Sequence, residues 1–438
     1  MIARLRSWWM AVNASYWFYP ALFSILAAIG AFTAIMIDRS GATQWLTDAE
    51  WLSPARPEGA RNILTVIAGS MIGVASTVFS ITIAAVAYAS GNYGPRLLTN
   101  FMEDRGNQLS LGTFIATFVF AVIVLRAVRG AEEGGAGVES ALAAAGGFVP
   151  QLSLALATVL AAVAIAVLVF FLNHIPSSIR INIVLQGIGE RLIDDIERRY
   201  PDRDEGFEPD GPPRGLPVTA KGRGYVQYID HDGLADLAEE CGGRFALRLR
   251  TGDFAHPAVP LVDLIGLTPN DDLPDRVRRC FALGGMRTPV QDPEFLIDEL
   301  VEIALRALSP GINDPFTAIT AMHWLGAATA ELAGRDLSKP LPSLGDKAHR
   351  VILLSDDFDH FLSRGFGALR ASAAASALAS KQFLDCLESV ATMTGPRRRE
   401  RLAGEAERLL EQARLHLKGP SLAELEARLL AFRKRTEI

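Results

Sequence analysis

"TVIAGSMIGVASTVFSITIAAVAYAS", Thr65 to Ser90, contains no charged residue, and the charge-free interval around it runs from Arg61 to Arg96. At a rise of about 1.5 Å per residue, a helix of this length exceeds the ~30 Å of a bilayer's hydrocarbon core. The stretch reads as a membrane span whose surplus length must tilt or emerge into the headgroups. Small and hydroxylated residues recur along it at helical spacing: Thr65, Gly69, Gly73, Thr77 and Ser80 or Ala84, joined by Ser70 and Ser76. In lipid, such a face lets a second helix come close, and its hydroxyls can bond across the contact. The alternative is a pore lining, with Ser76, Thr77 and Ser80 turned to water. Both hold if the helix packs around the axis of an oligomer.

Three more apolar runs flank this one, at about Trp17–Ile37, Leu109–Leu125 and Val149–Leu172, and nothing similar follows residue 175. Half of the residues are hydrophobic and the mean hydropathy is +0.22, both high for a soluble chain. The expected fold is therefore a membrane α-helical domain of four transmembrane helices, joined to a soluble α+β region. Arg4 and Arg6 precede the first apolar run as in a signal peptide, but the run is too long and Asp38-Arg39 follows it. It reads as a retained span. Trp8, Trp9, Tyr16, Trp17, Phe18 and Tyr19 form an aromatic belt at its edge.

Four spans place both termini on one side of a bacterial inner membrane. Short-loop arginines are nearly balanced, and Arg180, Arg191, Arg198 and Arg199 after the last span tip the termini towards the cytoplasm. Three widely spaced cysteines, Cys241, Cys280 and Cys386, do not form a disulfide framework and agree with a reducing compartment. After the second span, Gly91, Gly94 and Pro95 break the helix. Arg96 to Asp104 then reads as a short amphipathic segment on the inner membrane surface. Inside the spans there is no Asp, Glu, Lys, Arg or His, with Arg126 and His174 at their ends. That counts against a proton-coupled carrier but leaves a passive channel open.

The chain divides into a membrane domain (1–175), a helix with a Pro/Gly-rich linker (176–215), a small β module (216–270) and a helical domain (271–438). In the β module, "YVQYI" and "RFALRLR" alternate as strands do, with a helix at Asp232–Glu240 between them. Further helices are expected at "DELVEIALRALS", after Asp314, over Asp357–Leu369, Ala375–Val390 and Arg397–Leu417, and in "SLAELEARLLAFRKR". Ser421 with Glu424 three residues on reads as a capping box for the last.

Two Asp-Pro pairs stand out. Asp292-Pro293 and Asp314-Pro315 each give a helix N-cap followed by proline at the first helical position. If the two helices pack antiparallel, their starts lie at opposite ends. A turn with caps explains these residues. A functional loop would instead be built from Arg287, Gln291, Asp292, Asn313 and Asp314, with Arg287, Gln291 and Asn313 as polar ligands.

"RTPVQD" followed by "ALRALSPGINDPFTAI", with four spans ahead of them, resembles a bacterial family of predicted membrane proteins catalogued as domain of unknown function 2254. The resemblance extends over nearly the whole chain. "NYGPRLL" is similar to the family's Ser-Pro-Arg-type stretch, with Gly94 in place of the serine. The resemblance implies the architecture and no activity.

Several chemistries find no support. The net charge is −6, with no basic stripe, which argues against nucleic acid. No cofactor fingerprint or zinc-ligand spacing appears. "DDFDH" (Asp356–His360) and "DHD" (Asp230–Asp232) hold ligand-type residues, but helix starts and turns explain both, so no metal is expected. The leading expectation is a homo-oligomeric protein of the lipid bilayer that passes ions or small solutes, gated by its cytoplasmic region. The alternative is a membrane-anchored sensor or scaffold. An enzyme would need residues at the inner interface, where Arg96, Glu103, Asp104, Arg105 and His174 form no recognisable set.

Overall fold

A computed structural model describes residues 15–40, 56–94, 104–129, 148–200, 213–267, 270–289, 291–337, 342–354 and 357–436. Trp8, Trp9, the amphipathic stretch up to Glu103 and most of the Pro/Gly-rich linker lie outside them. The chain forms two compact units, which part between Arg180 and Ile181.

Among the described residues, four helices make the first unit: α1 (Phe18–Arg39), α2 (Pro57–Tyr93), α3 (Arg105–Ala127) and α4 (Gln151–Ser178). Each is long and apolar enough to cross a membrane, as the apolar runs require. Their order in space follows from who packs with whom. Ala31, Ala34 and Ile35 near the end of α1 meet Ala60, Leu64 and Ala68 near the start of α2. Phe120, Ala121 and Val124 near the end of α3 and Leu154 and Ala157 near the start of α4 join the same cluster. Ends meeting starts in this alternation make an up-and-down bundle. A second cluster fills the other half, with Met71, Ala75 and Val78 of α2, Leu111 and Phe114 of α3, and Ala164, Phe171 and Ile175 of α4. Tyr16, just before α1, packs against it.

The first end is also tied by hydrogen bonds. The Asp38 carboxylate accepts the N–H groups of Leu152 and Ser153, both at 3.0 Å, and the Ser153 hydroxyl at 2.7 Å. It thereby caps α4 from another helix, satisfying N–H groups that a helix start leaves open. α4 runs on past Leu172 to Ser178, so His174 lies within the helix rather than at its margin.

The second unit begins with α5 (Ile181–Arg199), which buries Leu185, Ile188, Leu192 and Ile196. Among the described residues, seven short strands follow: β1 (Leu216–Thr219), β2 (Gly224–Ile229), β3 (Arg244–Leu247), β4 (Phe254–Ala255), β5 (Pro260–Ile265), β6 (Phe281–Gly284) and β7 (Val351–Ile352). They form a four-stranded sheet, β1-β5-β3-β7, and a three-stranded one, β4-β2-β6. Val218, Val226, Phe245, Val262 and Phe281 share one core with Leu234 and Ala238 of α6 (His231–Glu240). The sheets thus recruit Phe281–Gly284 and, in parallel with β3, Val351–Ile352 from later in the chain.

Helices complete the unit: α7 (Leu273–Arg279), α8 (Pro293–Ala307), α9 (Pro315–Ala333), α10 (Phe358–Leu362), α11 (Ala368–Ala374), α12 (Ala377–Ala391), α13 (Pro396–Ala413) and α14 (Pro420–Thr436). α8 and α9 pack on each other and both pack on α5. The single helix expected over Asp357–Leu369 is interrupted by a π-helical turn at Ser363–Gly367. The capping box at Ser421 does not form. α14 already starts at Pro420, after a left-handed Gly419, and the Glu424 carboxylate is taken by Lys381 of α12.

Candidate functional site

On α2, all of Thr65, Gly69, Ser70, Gly73, Ser76, Thr77 and Ser80 are exposed, while Leu64, Ala68, Met71, Ala75 and Val78 face the bundle. A Cβ built on Gly69 or Gly73 would meet nothing within 4 Å. The small face is therefore turned away from its own chain. Its hydroxyls are not idle: Thr77 donates to the Gly73 carbonyl at 3.0 Å and Ser80 to the Ser76 carbonyl at 2.9 Å. Such back-bonding lets a hydroxyl sit against lipid or another helix without water.

The loop residues of the second unit separate into two places. Asn313 takes a left-handed backbone (φ 49°), and its N–H donates to Ser309. Asp314 caps α9 by accepting the Thr317 N–H at 3.2 Å and the Thr317 hydroxyl at 2.6 Å. These two form a turn and a cap. α8 has 15 residues, about 22 Å of helix, between that turn and Asp292.

Arg287, Gln291 and Asp292 do come together, at the seam between the β sheets and α8. Gln291, also left-handed (φ 59°), accepts the Ile229 N–H at 3.0 Å and donates back to the Ile229 carbonyl at 3.2 Å. The Thr251 hydroxyl donates to the Gln291 carbonyl at 2.5 Å. Asp292 is fully buried. It caps α8 through the Phe295 N–H and accepts Arg287 Nη2 at 2.6 Å. Gly252, at φ 93°, passes so near that a Cβ there would stand 2.2 Å from the Asp292 carboxylate. Only glycine combines that backbone with that space.

The sequence did not show what surrounds this pair. Arg287 Nη1 also donates to Asp298 at 2.5 Å, and Arg364 from the π turn holds the same carboxylate at 2.8 Å. Arg364 reaches Glu294 at 2.6 Å, and His360 Nε2 lies 2.7 Å from the other Glu294 oxygen. Three carboxylates on the first turns of α8 thus face two guanidinium groups and one imidazole. Burial pushes the Asp292 carboxyl up to about 6, against the pull of Arg287. Burial pushes Glu294 the same way, but His360 and Arg364 outweigh it and hold Glu294 below the usual range. The carboxylates and cations of this network pair with one another, so it reads as a structural lock joining two layers. His360 and Arg364 each lie 66 residues from a carboxylate they hold, which is why "DELVEIALRALS" alone gives no sign of it.

A second pairing unseen in the sequence lies in the first unit. His174 Nε2 on α4 is 2.9 Å and 3.0 Å from the two oxygens of Asp104. Asp104 caps α3 through the Asn107 N–H. Gly106 makes room for the contact, since a Cβ there would stand 2.6 Å from His174 Nε2. Of the interfacial residues that formed no set in the sequence, Asp104 and His174 do pair. Arg96 and Glu103 lie outside the described residues.

Of the two ligand-rich motifs, Asp230 caps α6, Asp357 caps α10, and His360 is held by Glu294. Among the described residues no group of three or more His, Cys, Asp or Glu could hold a metal ion.

The chain is 32% identical over 351 residues to an uncharacterized protein of Mycobacterium tuberculosis, Rv1290c, and to one of Mycobacterium bovis, Mb1321c. Each match covers 76% of this chain and 64% of the relative, so the chain spans less than two thirds of their length. No solved structure matches. The family described as "Predicted membrane protein (DUF2254)" matches residues 13–389, which contain all four spans and both Asp-Pro helix starts, and the chain belongs to that family.

Proposed function

We propose that the chain assembles in the bacterial inner membrane as a homo-oligomer around the small face of α2. The assembly passes ions or small solutes, under control of a second unit that lies, with both termini, in the cytoplasm. One observation carries this reading. Every one of Thr65, Gly69, Ser70, Gly73, Ser76, Thr77 and Ser80 is exposed on the single chain, so the face is free for other copies. Arginines following α4 support the orientation.

The test is ion flux through purified full-length protein in liposomes. Flux that Ser76→Leu removes supports a path along this face. The hydroxyl bonds of Thr77 and Ser80 to their own helix favour a second reading, in which the face only packs and the protein is a membrane-anchored sensor or scaffold. No flux across several ions and voltages, from folded protein inserted both ways, selects that reading.

A further inference from the structure

The apolar cluster of Met71, Val78, Leu111, Phe114 and Phe171 ends in a polar layer drawn from the whole bundle. One turn beyond Val78 on α2 stands Thr82, which is buried. One turn before Leu111 on α3 stands Asn107, and one turn beyond Phe171 on α4 stands His174, paired with Asp104. Residues three or four apart share a helix face, so these side chains continue the face that meets the cluster. Tyr16 packs against the same cluster, within reach of Thr82 and near enough to Asp104 to feel its charge.

The Asn107 side chain of this layer has no hydrogen-bond partner. Asn107 is 1% exposed, and neither its Oδ1 nor its Nδ2 makes a hydrogen bond. The Tyr16 hydroxyl is likewise buried, with the Thr82 hydroxyl as its one side-chain neighbour in hydrogen-bonding reach. Buried polar groups are nearly always paired with protein, water or an ion, and the cost of leaving them bare rises in a membrane. Thr82 donates to the Val78 carbonyl, so it can only accept from Tyr16, and the Tyr16 oxygen keeps its lone pairs open.

We propose that this layer binds one alkali cation, Na⁺ or K⁺. Its donors are hard oxygens: the Asp104 carboxylate, Asn107 Oδ1 and Tyr16 Oη. Oxygen ligands select hard cations over softer metals. A single carboxylate balances a single positive charge, which suits a monovalent ion better than a divalent one. The Asp104 and His174 side chains are 18% and 28% exposed, so the layer opens at the end of the bundle. Water entering there fills the remaining coordination and meets Asn107 Nδ2. The site lies within one chain and does not depend on assembly or flux through the α2 face.

The test uses full-length protein in detergent, where no flux can be read. Thermal unfolding is followed in NaCl, KCl and choline chloride at equal ionic strength. Na⁺ or K⁺ is expected to raise the midpoint saturably above that in choline, because a ligand of the folded state stabilises it by mass action. Asp104→Asn and Asn107→Leu should each remove the rise. Tyr16→Phe, which keeps the ring, should weaken the apparent affinity severalfold and serves if the other variants fail to fold. Direct binding of radioactive ²²Na⁺ or ⁸⁶Rb⁺ to the wild type is the independent readout. Equal midpoints in all three salts together with no isotope binding would overturn the proposal. So would a rise that survives in folded Asp104→Asn, or an Asn107→Leu variant that is more stable in choline with the salt response unchanged. Flux in liposomes without this binding would leave the α2 reading standing and sink this one.

Discussion

The indole of Trp324 occupies the space that a side chain at position 189 would need: a Cβ on Gly189 would stand 2.3 Å from Trp324 Cε3. This contact sets how closely α5 and α9 approach. Gly189→Ala should cost about 1–3 kcal/mol through overpacking. Gly187→Ala, where a Cβ meets nothing within 4 Å, should be neutral or slightly stabilising. Thermal unfolding of the two variants side by side separates packing from helix propensity.

Asp298 is shared by Arg287 and Arg364, so its loss strands two guanidinium groups at once. Both arginines keep another carboxylate, and Arg364 is partly exposed, which moderates the damage. Asp298→Ala should destabilise by about 2–4 kcal/mol, near the lower part of the range for a broken buried pair. Arg364→Ala in the Asp298→Ala background should cost less than the sum of the two single changes, measured by denaturant unfolding.

Burial raises the Asp292 carboxyl from 3.8 to about 6. An acid raised on folding binds its proton more tightly in the folded chain. Its contribution is complete below about pH 4 and is lost as pH rises through 6. Two units correspond to roughly 3 kcal/mol. Asp292→Asn keeps a residue able to cap α8 but does not titrate. Relative to wild type, it should gain stability between pH 4 and pH 7, by up to about 3 kcal/mol. Unfolding curves at four pH values check the slope, and parallel curves would refute it.

On the α2 face, Gly73→Leu should leave the single chain intact, because the position is open. It should block close approach of a second α2. The expected result is a shift from oligomer to monomer in native mass spectrometry, with an unchanged helical circular dichroism spectrum.

Much of the architecture was legible because it rests on local signals. A run without charge must be a span, and Asp before Pro marks a helix start. The four spans, Asp292 and Asp314 follow from such rules. Contacts over long distances were not legible. Glu294 and Glu299 look like solvent-facing residues in a helix pattern, yet they are 6% and 1% exposed. Glu294 is matched by His360 and Arg364, while Arg191 approaches Glu299 at 3.9 Å. Asp104 and His174, 70 residues apart, are the same kind of case. The alternative of a functional loop drew together residues close in sequence, and a 15-residue helix holds its two halves apart.

Because Thr77 and Ser80 close their hydroxyls on their own helix, those two positions offer acyl chains no open donor. At those two positions a lone chain meets lipid at no polar cost. Association driven by close packing alone is graded by how many copies share the membrane. Under the proposed assembly, the oligomeric state would report the protein's own abundance.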